Sequence, residues 1–322
     1  MAYIGIDAGG TKTKVRLADV SGRLIGEGTA GPGNWQIAGE QGFTSAVLQA
    51  YETAQKQAGA LGTDAQVVVA GVAGAGRPRD QLSVKAALAK LFPGAECEAV
   101  NDAVIALAAG TLGEAGAVVI AGTGSMSFAI GPKGDTARAG GWGYLLGDEG
   151  SGFYVGLEGI KAALKDHDGT GPRTALKDRI LRELRLPSPE RVVSFAYEGK
   201  VPREQIAALA RAVLDESRTG DAVASEIVGG AVAHLVRLCA TVIRKARFRS
   251  TVPLVTAGGL FADQRFRHLF VERAKAHLPA ARPMRAVLDP AAGACALALK
   301  KADMLDESAK KTLLESFTQR DS

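Results

Sequence analysis

The sequence predicts an α/β protein in which one plan, a three-stranded meander followed by βα units, is built twice. Three observations carry that expectation. Residues 3–30 read as three short strands joined by tight turns, "YIGID", "TKVRLAD" and "RLIGEGTA". The order strand, glycine turn, strand, strand returns at residues 115–142 as "AGAVVIAGTGSMSFAI" and "TARAGGW". Continuous apolar runs such as "AQVVVAGVAG" and "VPLVTAGGLF" have the composition of strands buried on both faces.

The remaining elements follow in order. Phe43, Val47, Leu48 and Tyr51 stand at helical spacing and predict a helix from about Gly39 to Gly59. A helix over "RDQLSVKAALAKLF" leads to a short strand, "CEAV", and a further helix opening at Asn101-Asp102. The second half is helical around Ser151–Lys165, Thr174–Leu184, Arg203–Ser217 and Asp221–Ala246. A last apolar strand and a helix precede "RPMRAVLD" and the helix "PAAGACALALKKA". After Met304 the chain is charged with little to bury, so it is expected to fray or dock weakly.

Composition narrows the class. A chain of 322 residues, 47% hydrophobic, suits two domains better than one. The net charge of +5 is spread along the chain with few aromatics to stack bases, which argues against nucleic acid. Cys97, Cys239 and Cys295 stand alone, without metal-ligand spacing, as in a reducing, cytoplasmic compartment. No signal-peptide pattern opens the chain, and the longest apolar stretch, Ala103 to Gly122, is broken by Gly110, Gly113, Glu114 and Gly116. It reads as a helix and a strand rather than a membrane span.

The turns carry the chemistry. Glycine exposes backbone N–H groups that can cradle an anion. Gly9-Gly10-Thr11-Lys12 adds a hydroxyl and an ammonium, and Asp7 precedes it, placed to hold a metal-bound water. Gly122-Thr123-Gly124-Ser125 repeats the donors, and Gly258-Gly259 opens a helix after the strand "VPLVTA". Any one such turn is more often architecture than function. Nor is this a P-loop, because Thr11 stands where the lysine belongs, and no Gly-x-Gly-x-x-Gly follows a strand.

The ordered set "GIDAGGTKT", "NDA", "IAGTGS", "GGWGYLLGDEGSG" and "TAGGLF" resembles the N-acetylglucosamine kinase branch of the actin-like sugar kinases, within the wider group named after the benzoyl-CoA reductase-activating ATPases. The resemblance spans Tyr3 to about Ala302. It implies two ribonuclease-H-like (actin-like ATPase) domains facing across a cleft. Residues 1–113 with a returning helix at about 289–303 would form the first, and 114–288, with a helical insertion, the second. Residues 304–322 are left as a charged tail.

What the resemblance implies about the site is specific. ATP would lie on Gly9, Gly10, Thr11 and Lys12, on Thr123 and Gly124, and beside Gly258 and Gly259. Asp7 would orient Mg²⁺ through water, since that hard ion keeps much of its hydration shell. Asp102 would be the general base that takes the proton of the sugar's 6-hydroxyl. From its position alone the reading of Asp102 as a helix N-cap would win, and it is the resemblance that favours the base. The sugar would meet Asn34, Asp102, Ser125, Gly141, Trp142, Gly143 and Asp148. Trp35 stays uncommitted, Glu149 reads as a structural or helix-start acid, and His234 as a helix residue satisfied locally. Met126 replaces an asparagine found in animal-type relatives, which opens glucosamine as an alternative to N-acetylglucosamine, with Asp148 or Glu149 facing its ammonium. The alternative from another class is an ATPase that activates a 2-hydroxyacyl-CoA dehydratase, which would need suitably placed cysteines. Expected partners are ATP and a small amino sugar, with a homodimer left open and neither nucleic acid nor membrane involved.

Overall fold

The computed structural model describes residues 1–59, 64–198, 201 and 203–321. They form two compact units, Met1–Gly116 with Met284–Ser322, and Ala117–Pro283.

In the first unit, β1 (Ala2–Ala8) lies at the centre of a five-stranded sheet ordered β3-β2-β1-β4-β5. β2 (Thr13–Ala18) and β3 (Leu24–Ala30) complete the antiparallel meander, with Asp7 opposite Lys14. β4 (Ala65–Val72) and β5 (Glu96–Asn101) run parallel to β1. Alternation along β1 divides its side chains between two cores. Ile4 and Ile6 pack with Phe43 and Val47 of α1 (Trp35–Ala58) and with Val84 and Leu88 of α2 (Pro78–Leu91). Tyr3 packs on the other face, with Ile105 of α3 (Asp102–Thr111) and with Cys295 and Leu299 of α11 (Pro290–Lys301). Gly5 and Asp7 share that face. A β-carbon at Gly5 would lie 2.0 Å from the carbonyl oxygen of Ala291, so only glycine lets α11 approach this closely. The acid at the end of β1 is thereby brought to the N-terminal ends of α3 and α11.

The second unit repeats the plan, ordered β10-β9-β6-β7-β8. β6 (Gly116–Ala121) takes the central place, β7 (Ser125–Ile130) and β8 (Thr136–Gly140) the meander, and β9 (Val252–Ala257) and β10 (Ala281–Arg285) the far side. Six helices, α4 (Gly152–Asp168) to α9 (Ala222–Lys245), separate β8 from β9, and α10 (Gln264–His277) follows. By length and composition alone α9 could cross a membrane. Its Val228, Val232, Leu235, Cys239 and Val242 are instead buried in the core of the unit.

Four elements differ from expectation. Helix α1 begins at Trp35, and Gly39 interrupts it with φ 66°, so the regular apolar spacing starts only after that kink. The helix expected over Arg203–Ser217 divides into α7 (Arg203–Ala208) and α8 (Ala210–Thr219). A short α6 (Arg191–Tyr197), which buries only Val192, went unforeseen. The segment after Met304 does not fray: α12 (Glu307–Asp321) docks against the first unit. Ala309 and Leu313 are buried there, Ser316 accepts the N–H of Leu24, and Phe317 lies 4.9 Å beneath the Arg16 guanidinium. Ala309, Leu313 and Phe317 stand four residues apart, a helical stripe hidden among charges.

Candidate active site

Each unit presents a turn after its first strand. In the first unit Gly9 donates to the carbonyl of Lys12 at 2.9 Å and accepts from Gly33 N–H at 3.0 Å. That pair of bonds fixes the base of the turn and leaves Gly10, Thr11 and Lys12 exposed at its tip. Asp7 stands just below, largely buried. Its pKa is raised from 3.8 to about 7, first by burial, then by the neighbouring charges of Asp102 and Asp289, against the opposing pull of Lys12 and Lys14. A hard cation fits such a spot, because it would relieve crowded negative charge. The described residues hold no cluster of three or more acids, histidines or cysteines able to cage a metal.

Asp7 makes a pH-dependent contribution to stability. A carboxyl with a raised folded pKa contributes stability that is complete below about pH 4 and lost as pH rises through about 7. Asp7→Asn removes that loss. It should raise the melting temperature of the nucleotide-free protein by several degrees at pH 8, with little change at pH 4. Thermal melts at the two pH values check this, and an equal shift at both would contradict it.

Asp102 is the first residue of α3. The cap of that helix is its neighbour: Asn101 Oδ1 accepts the Ala103 N–H at 3.1 Å, and Asp102 Oδ1 shares the same N–H at 3.0 Å. The N-cap duty that competed for Asp102 in the sequence is therefore met by Asn101. Asn34 does cap a helix. Its Oδ1 accepts from Gln36 N–H at 3.0 Å and Ile37 N–H at 3.3 Å, which holds the carboxamide rigid at the start of α1. Trp35 packs edge-on to Phe43, a core contact.

Asp289 escaped the sequence reading. It caps α11 by accepting Ala292 N–H at 2.8 Å and receives Lys14 Nζ at 2.7 Å and Arg16 Nε at 2.9 Å. Burial alone would raise its pKa, but Arg16, Lys14 and the Ala292 N–H hold it below the usual value. Asp289-Pro290 is a helix-start signature, an acidic cap before a proline at the first helical position, and could have marked it.

In the second unit the turn at Gly122–Ser125 is stitched to the loop before α4. Gly152 donates to Gly122 O at 2.7 Å and Phe153 to Thr123 O at 3.3 Å. Ser125 is buried, its N–H on Asp148 Oδ1 at 3.3 Å and its hydroxyl on Glu149 O at 2.8 Å. These bonds make Ser125 a strut between turn and loop, with Thr123 exposed beside it. Asp148 is 5% exposed and adopts φ 64°, a left-handed conformation that costs a non-glycine residue energy and often marks functional loops. Burial raises its pKa, opposed by the N–H of Ser125, the charge of Arg203 and the N–H of Gly143. Gly141 is tied to Ser125 O at 2.9 Å, whereas Trp142 is 72% exposed. Gly258 and Gly259, expected to open a helix, open only a short one. Gly259–Ala262 is one 3₁₀ turn, and α10 begins only at Gln264, capped by Asp263. Gly258 has φ 97°, and a β-carbon there would strike Ala121 of β6 at 2.5 Å, so this glycine seals β9 against β6.

A sheet order of 3-2-1-4-5 built twice, each copy with an exposed turn after its first strand, defines a duplicated ribonuclease-H-like ATPase of the actin-like class. A family model described as the BadF/BadG/BcrA/BcrD ATPase family matches residues 4–298, and the chain belongs to that family. It is 35% identical over 261 residues, 80% of its length and 84% of the relative's, to an N-acetylmuramic acid/N-acetylglucosamine kinase of Clostridium acetobutylicum. It is 32% identical over 310 residues, 92% and 97% of the two lengths, to an N-acetyl-D-glucosamine kinase of Dictyostelium discoideum. A crystal structure from Chromobacterium violaceum, described as that of a candidate N-acetylglucosamine kinase, superposes with a TM-score of 0.76 at 26% identity, covering 92% of this chain and 98% of the other.

Proposed function

We propose that this chain is an amino-sugar kinase that transfers the γ-phosphoryl group of ATP to the 6-hydroxyl of N-acetyl-D-glucosamine, with Asp102 as general base. The observation that carries the reading is that Asp102 stands near enough to Asp7 for its charge to raise the Asp7 pKa, while Asn101 already meets the capping need of α3. Both relatives described above are named as kinases of N-acetylated amino sugars, which supports the substrate class.

Asp102 accepts the hydroxyl proton as the oxygen attacks, so that the nucleophile gains charge only as the bond to phosphorus forms. In the first unit Gly9, Gly10, Thr11 and Lys12 are the proposed phosphate donors, and in the second unit Thr123 and Gly124 are. Gly259, beside which nothing lies within 4 Å of a β-carbon, is the proposed neighbour of the nucleotide's base, with Gly258 preceding it. Asp7 would hold Mg²⁺ through water, and the bound ion would offset the charge of the phosphates. As proposed sugar contacts, Asn34 in the first unit offers a rigid carboxamide, and Gly141, Trp142, Gly143 and Asp148 in the second form a loop with one fixed carboxylate. The reaction belongs in the cytoplasm, where ATP and reduced thiols are found.

The thiols speak against the dehydratase-activator alternative. Cys97, Cys239 and Cys295 are all buried, and burial pushes the thiols of Cys239 and Cys295 up to about 12. Thiols buried in this way are not presented at a surface where a shared cluster could be held. Coupled measurement of ADP release with N-acetylglucosamine, glucosamine and glucose tests the proposal. The acetylated amino sugar should stimulate release most strongly. Release that is independent of any sugar would overturn the kinase reading.

A further inference from the structure

Resting on that amino-sugar kinase reading, we propose that Thr13 is a positioning residue whose hydroxyl couples the nucleotide turn to the sugar loop, so that ATP and the amino sugar each tighten the binding of the other. Both loops belong to the first unit. Thr13 opens β2 and stands between two strand ends, paired with Ala8, the last residue of β1, and with Ala30, the last of β3. On one side lies the turn Gly9–Lys12, proposed to receive phosphate. On the other lies Gly31-Pro32-Gly33, which leads to Asn34, a proposed sugar contact. The Gly33 N–H ties the two loops by donating to Gly9 O at 3.0 Å, and the Trp35 N–H ties the second to Ala73 O at 3.1 Å. Between them the Thr13 hydroxyl is fully buried and has no hydrogen-bond partner. A β-carbon at Gly33 would lie 2.4 Å from Thr13 Oγ1, so the glycine rests directly on the hydroxyl.

The other buried polar atoms without a partner among the described residues belong to carboxylates and guanidiniums, which have further oxygens or nitrogens to place. Thr13 has a single polar atom in its side chain, and all of its hydrogen-bonding capacity is idle. Valine has nearly the same shape, suits a strand as well and avoids the cost of a buried unpaired hydroxyl. An idle hydroxyl beside two ligand loops marks a second arrangement in which it is satisfied. Gly31 and Pro32 are exposed, with open space where a β-carbon of Gly31 would stand, so this part of the loop has room to turn a carbonyl toward Thr13. With both ligands held, the Thr13 hydroxyl donates to a carbonyl of that segment. Phosphate on the turn fixes Thr13 from one side, and sugar on Asn34 fixes the loop from the other. Neither ligand alone orders both ends, so the bond contributes when the two are present together, and such coupling is reciprocal.

The test measures the Kd of N-acetylglucosamine by calorimetry, with and without a non-hydrolysable ATP analogue and Mg²⁺, in the wild type, Thr13→Val and Thr13→Ser. In the wild type the analogue should lower the Kd of the sugar about 5- to 10-fold. In Thr13→Val each ligand alone should bind within about 2-fold of wild type, and the coupling should fall below about 2-fold. The melting temperature of the free variant should stay level or rise, and Thr13→Ser should keep the coupling. Coupling that survives in Thr13→Val, or is lost in Thr13→Ser as well, overturns the proposal, because the hydroxyl is then not its source. Weaker binding of each ligand by itself overturns it too, since Thr13 then only shapes the loops. So does a melting temperature several degrees lower in Thr13→Val, the sign of a hydroxyl already bonded in the free protein. A wild type that binds both ligands without coupling refutes this inference alone, whereas one that binds no amino sugar refutes the kinase reading beneath it.

Discussion

Asp102→Asn should lower kcat by about 10²- to 10⁴-fold while the Kd for ATP changes less than about 3-fold. The first figure is the usual worth of a general base, equivalent to about 3–5 kcal/mol of barrier. The substitution is nearly isosteric, and two observations make it clean. Asn101 carries the cap of α3, and an asparagine oxygen at position 102 can still accept the Ala103 N–H that Asp102 Oδ1 now shares. The helix therefore keeps its first turn. Asp102 is also one of the charges that raise the pKa of Asp7, so its neutralisation makes Asp7 easier to ionise and does not weaken the metal–nucleotide side. Single-turnover phosphoryl transfer alongside ATP titration separates the two effects. A variant that retains kcat within about 5-fold of wild type would show that the base is another group or that none is used.

Much of this could be read from the chain, for a physical reason. Strands buried on both faces are written as continuous apolar runs, and a glycine turn between two alternating segments marks a meander. That is why β1 to β4, β6, β7 and β9 were legible, together with the position of the turn at Gly9–Lys12. The polar interior was not legible. Arg16 sits in "TKVRLAD" where alternation makes it look like a surface residue of a half-exposed strand, yet it is fully buried. The distant Asp289 and Phe317, with Glu27, help make that burial tolerable, and no local pattern links residues 273 positions apart. The role of Ser125 was obscured in the same way. Its hydroxyl reads as a ligand donor, but the bond to Glu149 O depends on a loop 24 residues further on. Helix α12 was the avoidable omission, because its stripe of Ala309, Leu313 and Phe317 is regular and only its charged surroundings hid it.

Asp289→Ala should cost about 3–5 kcal/mol of stability, the largest loss expected from any single change outside the hydrophobic cores. Asp289 takes hydrogen bonds or ion pairs from Lys14, Arg16 and the Ala292 N–H, and Arg16 has no exposed surface with which to recover water. Once the carboxylate is gone, Glu27 still lies beside that guanidinium, but α11 loses its N-cap, worth about 1 kcal/mol by itself. Domains hold only about 5–15 kcal/mol, so the variant should unfold at distinctly lower urea concentration. Asp289→Asn retains a capping oxygen and loses the charge, and it should fall between the other two. The pH dependence has the opposite sign to that of Asp7. A carboxylate held below its usual pKa contributes stability that is present above about pH 4 and lost as pH falls, so wild type and Asp289→Ala should converge on acidification. Urea unfolding at pH 7.5 and pH 4 measures both statements. A loss below about 1 kcal/mol at pH 7.5 would mean that Glu27 and Phe317 suffice for Arg16, and that the acid before α11 serves chiefly as a cap.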